Sequence, residues 1–278
     1  MAKKDSPDIE RLADSAKNAE SSLPASSTGS YFKETQKPIY ALLLTVPFLA
    51  AYEIGILFGG LAGNSSINGG DWVVRAIFSN ISSMHGATMS VLVMGAVFLF
   101  YSVRQGASWK WNGGTYALAL VESLFWAVCL TVIAGLVNDL MRPLSGRPAA
   151  SFLGPELGVF DRQISAALGR FQRIALFCGA GVFEELVFRV MLLLPLFWFI
   201  AWSDRVSKPR AFITASVIAA LVFSAFHYRI FTGAGDPFNL MTFIFRFLAG
   251  LYFTAICYQR NFGIAVAAHA MYDIIVGF

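Results

Sequence analysis

Residues 181–195 read Gly-Val-Phe-Glu-Glu-Leu-Val-Phe-Arg-Val-Met-Leu-Leu-Leu-Pro. The stretch lies within a long apolar segment, 171–194, yet it carries adjacent carboxylates at Glu184 and Glu185 and a guanidinium at Arg189. A charge at membrane depth costs about 2.5–3.5 kcal/mol on insertion scales, so an ionisable residue there marks function by default. A helical turn holds about 3.6 residues, so the two glutamate side chains diverge by roughly 100°. Glu185 and Arg189 are four apart and pair along one helix face. Glu184 then points in another direction. One glutamate is read as structural and the other as chemical.

The rest of the chain fits a membrane setting for this helix. Of 278 residues, 56% are hydrophobic and 14% charged, against about 25% charged in soluble domains. Mean hydropathy is +0.61. Seven apolar segments, 39–62, 87–103, 115–137, 171–194, 211–228, 238–258 and 263–278, predict an all-α polytopic transmembrane helix bundle of about seven spans. The last holds 16 residues, short of the roughly 20 that a span needs. Pro47 is expected to kink the first span, and Pro195 to bend or end the fourth. Loop 138–170 carries Pro143, Pro148 and Pro155 and reads as irregular or partly re-entrant.

The domain division is a disordered polar tail over 1–37 and a bundle over 38–278. The tail has six basic and six acidic residues and too little apolar surface to order itself. No cleavable signal precedes the bundle. The sequence pI is near 9.0, but the basic residues form no cluster beside aromatics, which argues against a nucleic-acid partner. They read as topology signals. With the N-terminus inside, cytoplasmic segments hold 12 Lys and Arg and the opposite segments 6, which favours a cytoplasmic N-terminus. Loop 138–170, with four arginines, pulls the other way. A bacterial inner membrane is the expected location. Cys129, Cys178 and Cys257 lie in apolar runs without a CxxC and read as packed thiols.

Only three histidines occur. His85 falls in a loop and is not read as catalytic. His227 ends the fifth span, and His269 lies in the last with Asp273 four residues on, on the same face. Glu184, His227, His269 and Asp273 thus come from three segments. They are either a polar network that tethers helices or a hydrolytic centre. A glutamate beside histidines can activate water, directly or with a metal, and a histidine can stabilise the oxyanion. No two histidines share a helical turn, so this is not an HExxH zinc motif. Ser224 lacks the context of a nucleophilic serine. Arg246 is expected to balance a buried carboxylate. Glu53 and Arg75 are expected to pair across the first connection, and Glu122 to lie at an interface.

Glu184-Glu185-x-x-x-Arg189, then Phe223-x-x-x-His227, then His269-x-x-x-Asp273 resembles the CPBP family, the CAAX-protease and bacteriocin-processing enzymes, which includes the Ras-converting CAAX endopeptidase. The resemblance covers 171–278; the N-terminal third matches only as membrane helices. It implies that Glu184 is the catalytic glutamate, that His227 helps it bind or activate water, and that His269 assists the oxyanion or a metal. The fourth family position is usually Asn and is Asp273 here. An ionised carboxylate cannot donate the hydrogen bond an amide would, so Asp273 is better suited to orienting a histidine or ligating a metal. Zinc is implied as one option, with His227, His269 and Asp273 as ligands. Glu185, Arg189 and Arg246 support the site. The reading is an intramembrane endopeptidase, metallo- or glutamate-type, whose partners are membrane lipid and a membrane-associated protein or peptide substrate. The alternative is a non-catalytic scaffold or bacteriocin self-immunity protein.

Overall fold

The structure, a computed structural model, describes residues 27–61, 69–78, 95–96, 98, 109–145, 169–202, 206–228 and 235–277. The chain is an all-α bundle. Helix α1 spans Ser27–Thr35, α2 Pro38–Leu61, α3 Gly69–Phe78 and α4 Gly113–Ser145. Helix α5, Arg170–Glu185, passes into a π-helical segment, Leu186–Leu193, and then into α6, Leu194–Trp202. Helices α7, α8 and α9 span Lys208–Phe226, Leu240–Gln259 and Phe262–Gly277. Among the described residues, five helices are long and apolar enough to cross a membrane: Pro38–Phe58, Gly113–Leu140, Arg170–Trp202, Lys208–Phe226 and Leu240–Gln259. The expected span at 87–103 lies outside the described residues apart from 95–96 and 98, and His85 lies outside them entirely.

The short last helix is the centre of the bundle. From Ile264 to Ala270 no residue of α9 is more than 4% exposed. Its small side chains allow this. A Cβ on Gly181 of α5 would stand 2.7 Å from the Ala270 backbone nitrogen, so only a glycine lets α5 lie against α9. Without a hydrophobic drive between helices in lipid, close approach at small residues supplies the packing. A 16-residue helix surrounded by protein has no need to match the bilayer thickness.

Two expectations change. Pro195 does not end the fourth span: the helical run continues to Trp202. Pro195 is the second residue of α6, so the missing N–H falls where the π register gives way to α. Helix α4 runs on to Ser145, past the expected start of a loop at 138.

The polar tail also holds a folded part. Helix α1 is tied to the turn between α8 and α9 through Glu122 of α4. The Glu122 carboxylate accepts from Arg260 Nη2 at 2.8 Å and from the Tyr31 hydroxyl at 2.6 Å. Arg260 Nη2 also donates to Thr35 Oγ1 at 3.0 Å, and its guanidinium stacks 4.0 Å from the Phe32 ring centre. Burial and the neighbouring carboxylate push the Tyr31 phenol above its usual range. Glu122 is therefore the centre of an ion-pair network. We expect deletion of 1–26 to leave catalytic turnover within about twofold, because that segment's composition lacks a core. Deletion through Thr35 removes Tyr31 and Thr35 and should lower the thermal midpoint. Thermal unfolding and turnover of the two truncations, measured side by side, check both statements.

Candidate active site

The charges of the quoted stretch are buried: Glu184 is 8% exposed, Glu185 0% and Arg189 4%. Burial at that level requires partners. Arg189 Nη1 lies 3.0 Å from Glu185 Oε1, the pair that the four-residue spacing predicts. Arg189 Nη2 donates to the Gly250 carbonyl of α8 at 3.0 Å, and the guanidinium lies over the Phe223 ring at 5.1 Å. One arginine thus ties α5 to both α7 and α8.

Glu185 makes a second contact that the sequence does not announce. Its Oε1 accepts from His269 Nδ1 at 2.8 Å, across 84 residues of chain. The other face of the His269 ring stacks on Phe253, with centroids 4.3 Å apart and planes at 15°. His269 is thereby fixed in position and tautomer: an Nδ1–H held by a carboxylate leaves Nε2 directed into the site.

His227 is fixed in a parallel way. It caps the C-terminus of α7, and its Nδ1 lies 2.8 Å from the Phe223 carbonyl one turn back. A carbonyl only accepts, so Nδ1 carries the hydrogen and Nε2 is again the working nitrogen. The Phe-x-x-x-His spacing is what puts that carbonyl within reach.

The two Nε2 atoms meet at Glu184. Its Oε2 stands 3.7 Å from His227 Nε2 and 3.8 Å from His269 Nε2. Asp273 Oδ2 lies 3.6 Å from His269 Nε2. The four residues expected to converge, Glu184, His227, His269 and Asp273, are therefore brought together from α5, α7 and α9. These separations exceed a direct hydrogen bond and suit a small molecule touching both sides. His227 and Asp273 are the outer members, with side chains 22% and 20% exposed, so the group opens on that side. The donors able to hold a metal are the two Nε2 atoms and the carboxylates of Glu184 and Asp273. Among the described residues no group of three or more His, Cys, Asp or Glu side chains stands in metal-ligating geometry.

The other polar residues sort as follows. Arg246 balances a buried carboxylate as expected, and the partner is Asp236, with Nη2 to Oδ2 at 2.9 Å. Asp236 N donates to the His227 carbonyl at 2.9 Å, so this pair backs the second motif. Ser224 Oγ donates to the Phe243 carbonyl at 2.7 Å, a helix-to-helix bond. The direct ion pair of Arg75 is with Asp71, at 2.8 Å, and Arg75 also interacts electrostatically with Glu53, as expected. Helix α3 places Asp71 one turn before Arg75, and that nearer carboxylate takes the direct contact.

Residues 167–275 match a family model described as Rce1-like, type II CAAX prenyl endopeptidase Rce1-like. No curated protein and no solved structure matches the chain. The matched stretch opens just before α5 and closes two residues past Asp273, so it takes in all three motifs and every residue of the converging group. Over residues 167–275 the chain is therefore similar to the type II CAAX prenyl endopeptidases, and the match and the three motifs fall on the same stretch.

Proposed function

We propose that the protein is an intramembrane endopeptidase in which Glu184 activates the attacking water. One observation carries this reading: a single oxygen of Glu184 faces the Nε2 atoms of two histidines, each held from behind at Nδ1. Water held between Glu184 Oε2 and His227 Nε2 gives its proton to the glutamate as its oxygen attacks the scissile carbonyl carbon. His269 protonated at both nitrogens, with Nδ1–H on Glu185, turns an Nε2–H to the oxyanion, and Glu185 and Asp273 orient the ring and balance its charge. Glu184 then returns the proton to the amine as the carbon–nitrogen bond breaks, leaving a carboxylic acid and an amine.

Zinc is a second way to activate the water. His227, His269 and Asp273 would hold it, and it would lower the pKa of the water it binds. The donor chemistry suits zinc, while the described side chains do not stand in ligating geometry. The family description supports a protein substrate whose C-terminal Cys-aliphatic-aliphatic-X tail is prenylated. The distribution of Lys and Arg supports a cytoplasmic N-terminus.

The test uses purified protein in liposomes with an internally quenched peptide ending in a farnesylated Cys-a-a-X tail, beside its unprenylated twin. Cleavage of the farnesylated peptide is expected. Failure of correctly folded protein to cleave either peptide would overturn the proposal and leave the scaffold reading. Metal content of the active preparation separates the routes: turnover without stoichiometric metal assigns the glutamate route, and one zinc per chain with chelator-sensitive turnover assigns the other.

A further inference from the structure

Outside the catalytic group, another buried charged cluster lies against the same helix. Asp71, in the first turn of α3, is 0% exposed. Its Oδ2 accepts from the Tyr52 hydroxyl at 2.7 Å and from Arg75 Nε at 2.8 Å. Tyr52 is itself fully buried in α2, with its ring edge-on to Phe183 at 5.2 Å between centroids. Phe183 immediately precedes Glu184.

The start of α3 also touches the catalytic backbone directly. A Cβ on Gly70 would stand 2.9 Å from the Phe183 carbonyl carbon and 3.0 Å from the Glu184 nitrogen. A Cβ on the preceding residue, Gly69, would come 3.1 Å from the ring of Phe226, the neighbour of His227. The first turn of α3 therefore bridges the two elements that carry Glu184 and His227.

We propose that Asp71 is a positioning residue: by tying Tyr52 to Arg75 it clamps α3 on the backbone at Phe183 and Glu184 and holds that carboxylate at its distance from the two imidazoles. The inference rests on the endopeptidase reading above. Its physical reason lies in the helix. Glu184 is two residues before the π segment, where the intrahelical bonds change register. Backbone at such a switch is held less by its own ladder and more by its neighbours. A buried ion pair is weak evidence for stability, so a charged cluster kept here is better explained by the geometry it fixes. A misplacement of about 1 Å at a reacting group costs on the order of a hundredfold in rate.

The experiment measures kcat and KM separately on the farnesylated quenched peptide, with thermal midpoints for each variant. Asp71→Asn removes the charge and keeps the shape. Gly70→Ala pushes α3 off the catalytic backbone and leaves the cluster intact. Arg75→Lys keeps a cation beside Asp71. Expected is a loss of kcat of about tenfold or more in Asp71→Asn and Gly70→Ala with KM within about twofold, and near-native kcat in Arg75→Lys. A folded Asp71→Asn or Gly70→Ala with native kcat, or a loss confined to KM, overturns the proposal. If Asp71→Asn does not fold, Gly70→Ala alone decides. Glu184→Gln runs alongside. Its inactivity with native kcat in the clamp variants refutes the clamp alone. Retained activity refutes the endopeptidase reading and the clamp with it.

Discussion

Replacing Glu184 by Gln is expected to reduce peptide turnover by about a thousandfold while the protein inserts, folds and unfolds near the native temperature. General-base catalysis contributes roughly 10²–10⁴ in rate, and a thousandfold corresponds to about 4 kcal/mol in the barrier. The substitution keeps the side-chain volume and removes the proton acceptor. Structurally it is mild, because glutamine matches the shape of glutamate and no direct hydrogen bond is broken: the Nε2 atoms of His227 and His269 face that oxygen at 3.7 and 3.8 Å. The paired measurement is turnover of the quenched peptide and the thermal midpoint of the same preparation. Activity within tenfold of native would remove Glu184 from the mechanism.

Arg189→Ala is expected to do the opposite: it should unfold the protein before its chemistry can be assayed. Truncating one partner of a buried pair costs about 3–5 kcal/mol, because the remaining charge is left uncompensated. Here Glu185, at 0% exposure, would lose its cation at 3.0 Å, and the Gly250 carbonyl would lose its donor. The guanidinium also covers Phe223, which carries the carbonyl that fixes His227. The loss therefore spreads to α7 and α8. Thermal midpoints of Arg189→Ala and Glu184→Gln in one detergent make the comparison. Equal midpoints would show that the Glu185–Arg189 pair contributes nothing special to stability.

The part of this site that was legible in the sequence is the part whose cost is local. Glu184, His227, His269 and Asp273 stand out because each is expensive in an apolar segment, whatever its partners are. The Glu185–Arg189 and His269–Asp273 pairs follow from a four-residue spacing. What could not be read are partners brought together by the fold. Glu185 meets His269 across 84 residues, Arg260 meets Glu122 across 138, and Tyr52 meets Asp71 across 19. No spacing encodes these contacts. Arg75 shows the limit from the other side: two carboxylates were within reach in sequence, and only helix α3 gives the direct contact to Asp71. The central place of α9 was also hidden, since a short apolar helix reads equally as a tilted span or as a core. The all-α bundle itself was plain, because apolar segments of span length admit little else in lipid.

The π segment carries a rule about the number of residues in the rod. Its bonds reach from i to i+5, so each rung spans one residue more than in an α-helix. Removing any single residue of Leu186–Leu193 would let the rod close as uninterrupted α-helix. The wider π turn already takes up the extra residue, so the two halves would keep close to their present phase, whereas one residue removed from the flanking α-helix would turn them against each other by roughly 100°. Glu184 and Glu185 lie before that point; Trp198, Phe199 and Trp202, at 70%, 73% and 83% exposed, lie after it. A deletion in the flanking α-helix would swing the outward rings round the axis or the carboxylates away from the imidazoles. A change of length is therefore absorbed best inside Leu186–Leu193 and worst in the α-helical turns on either side of it.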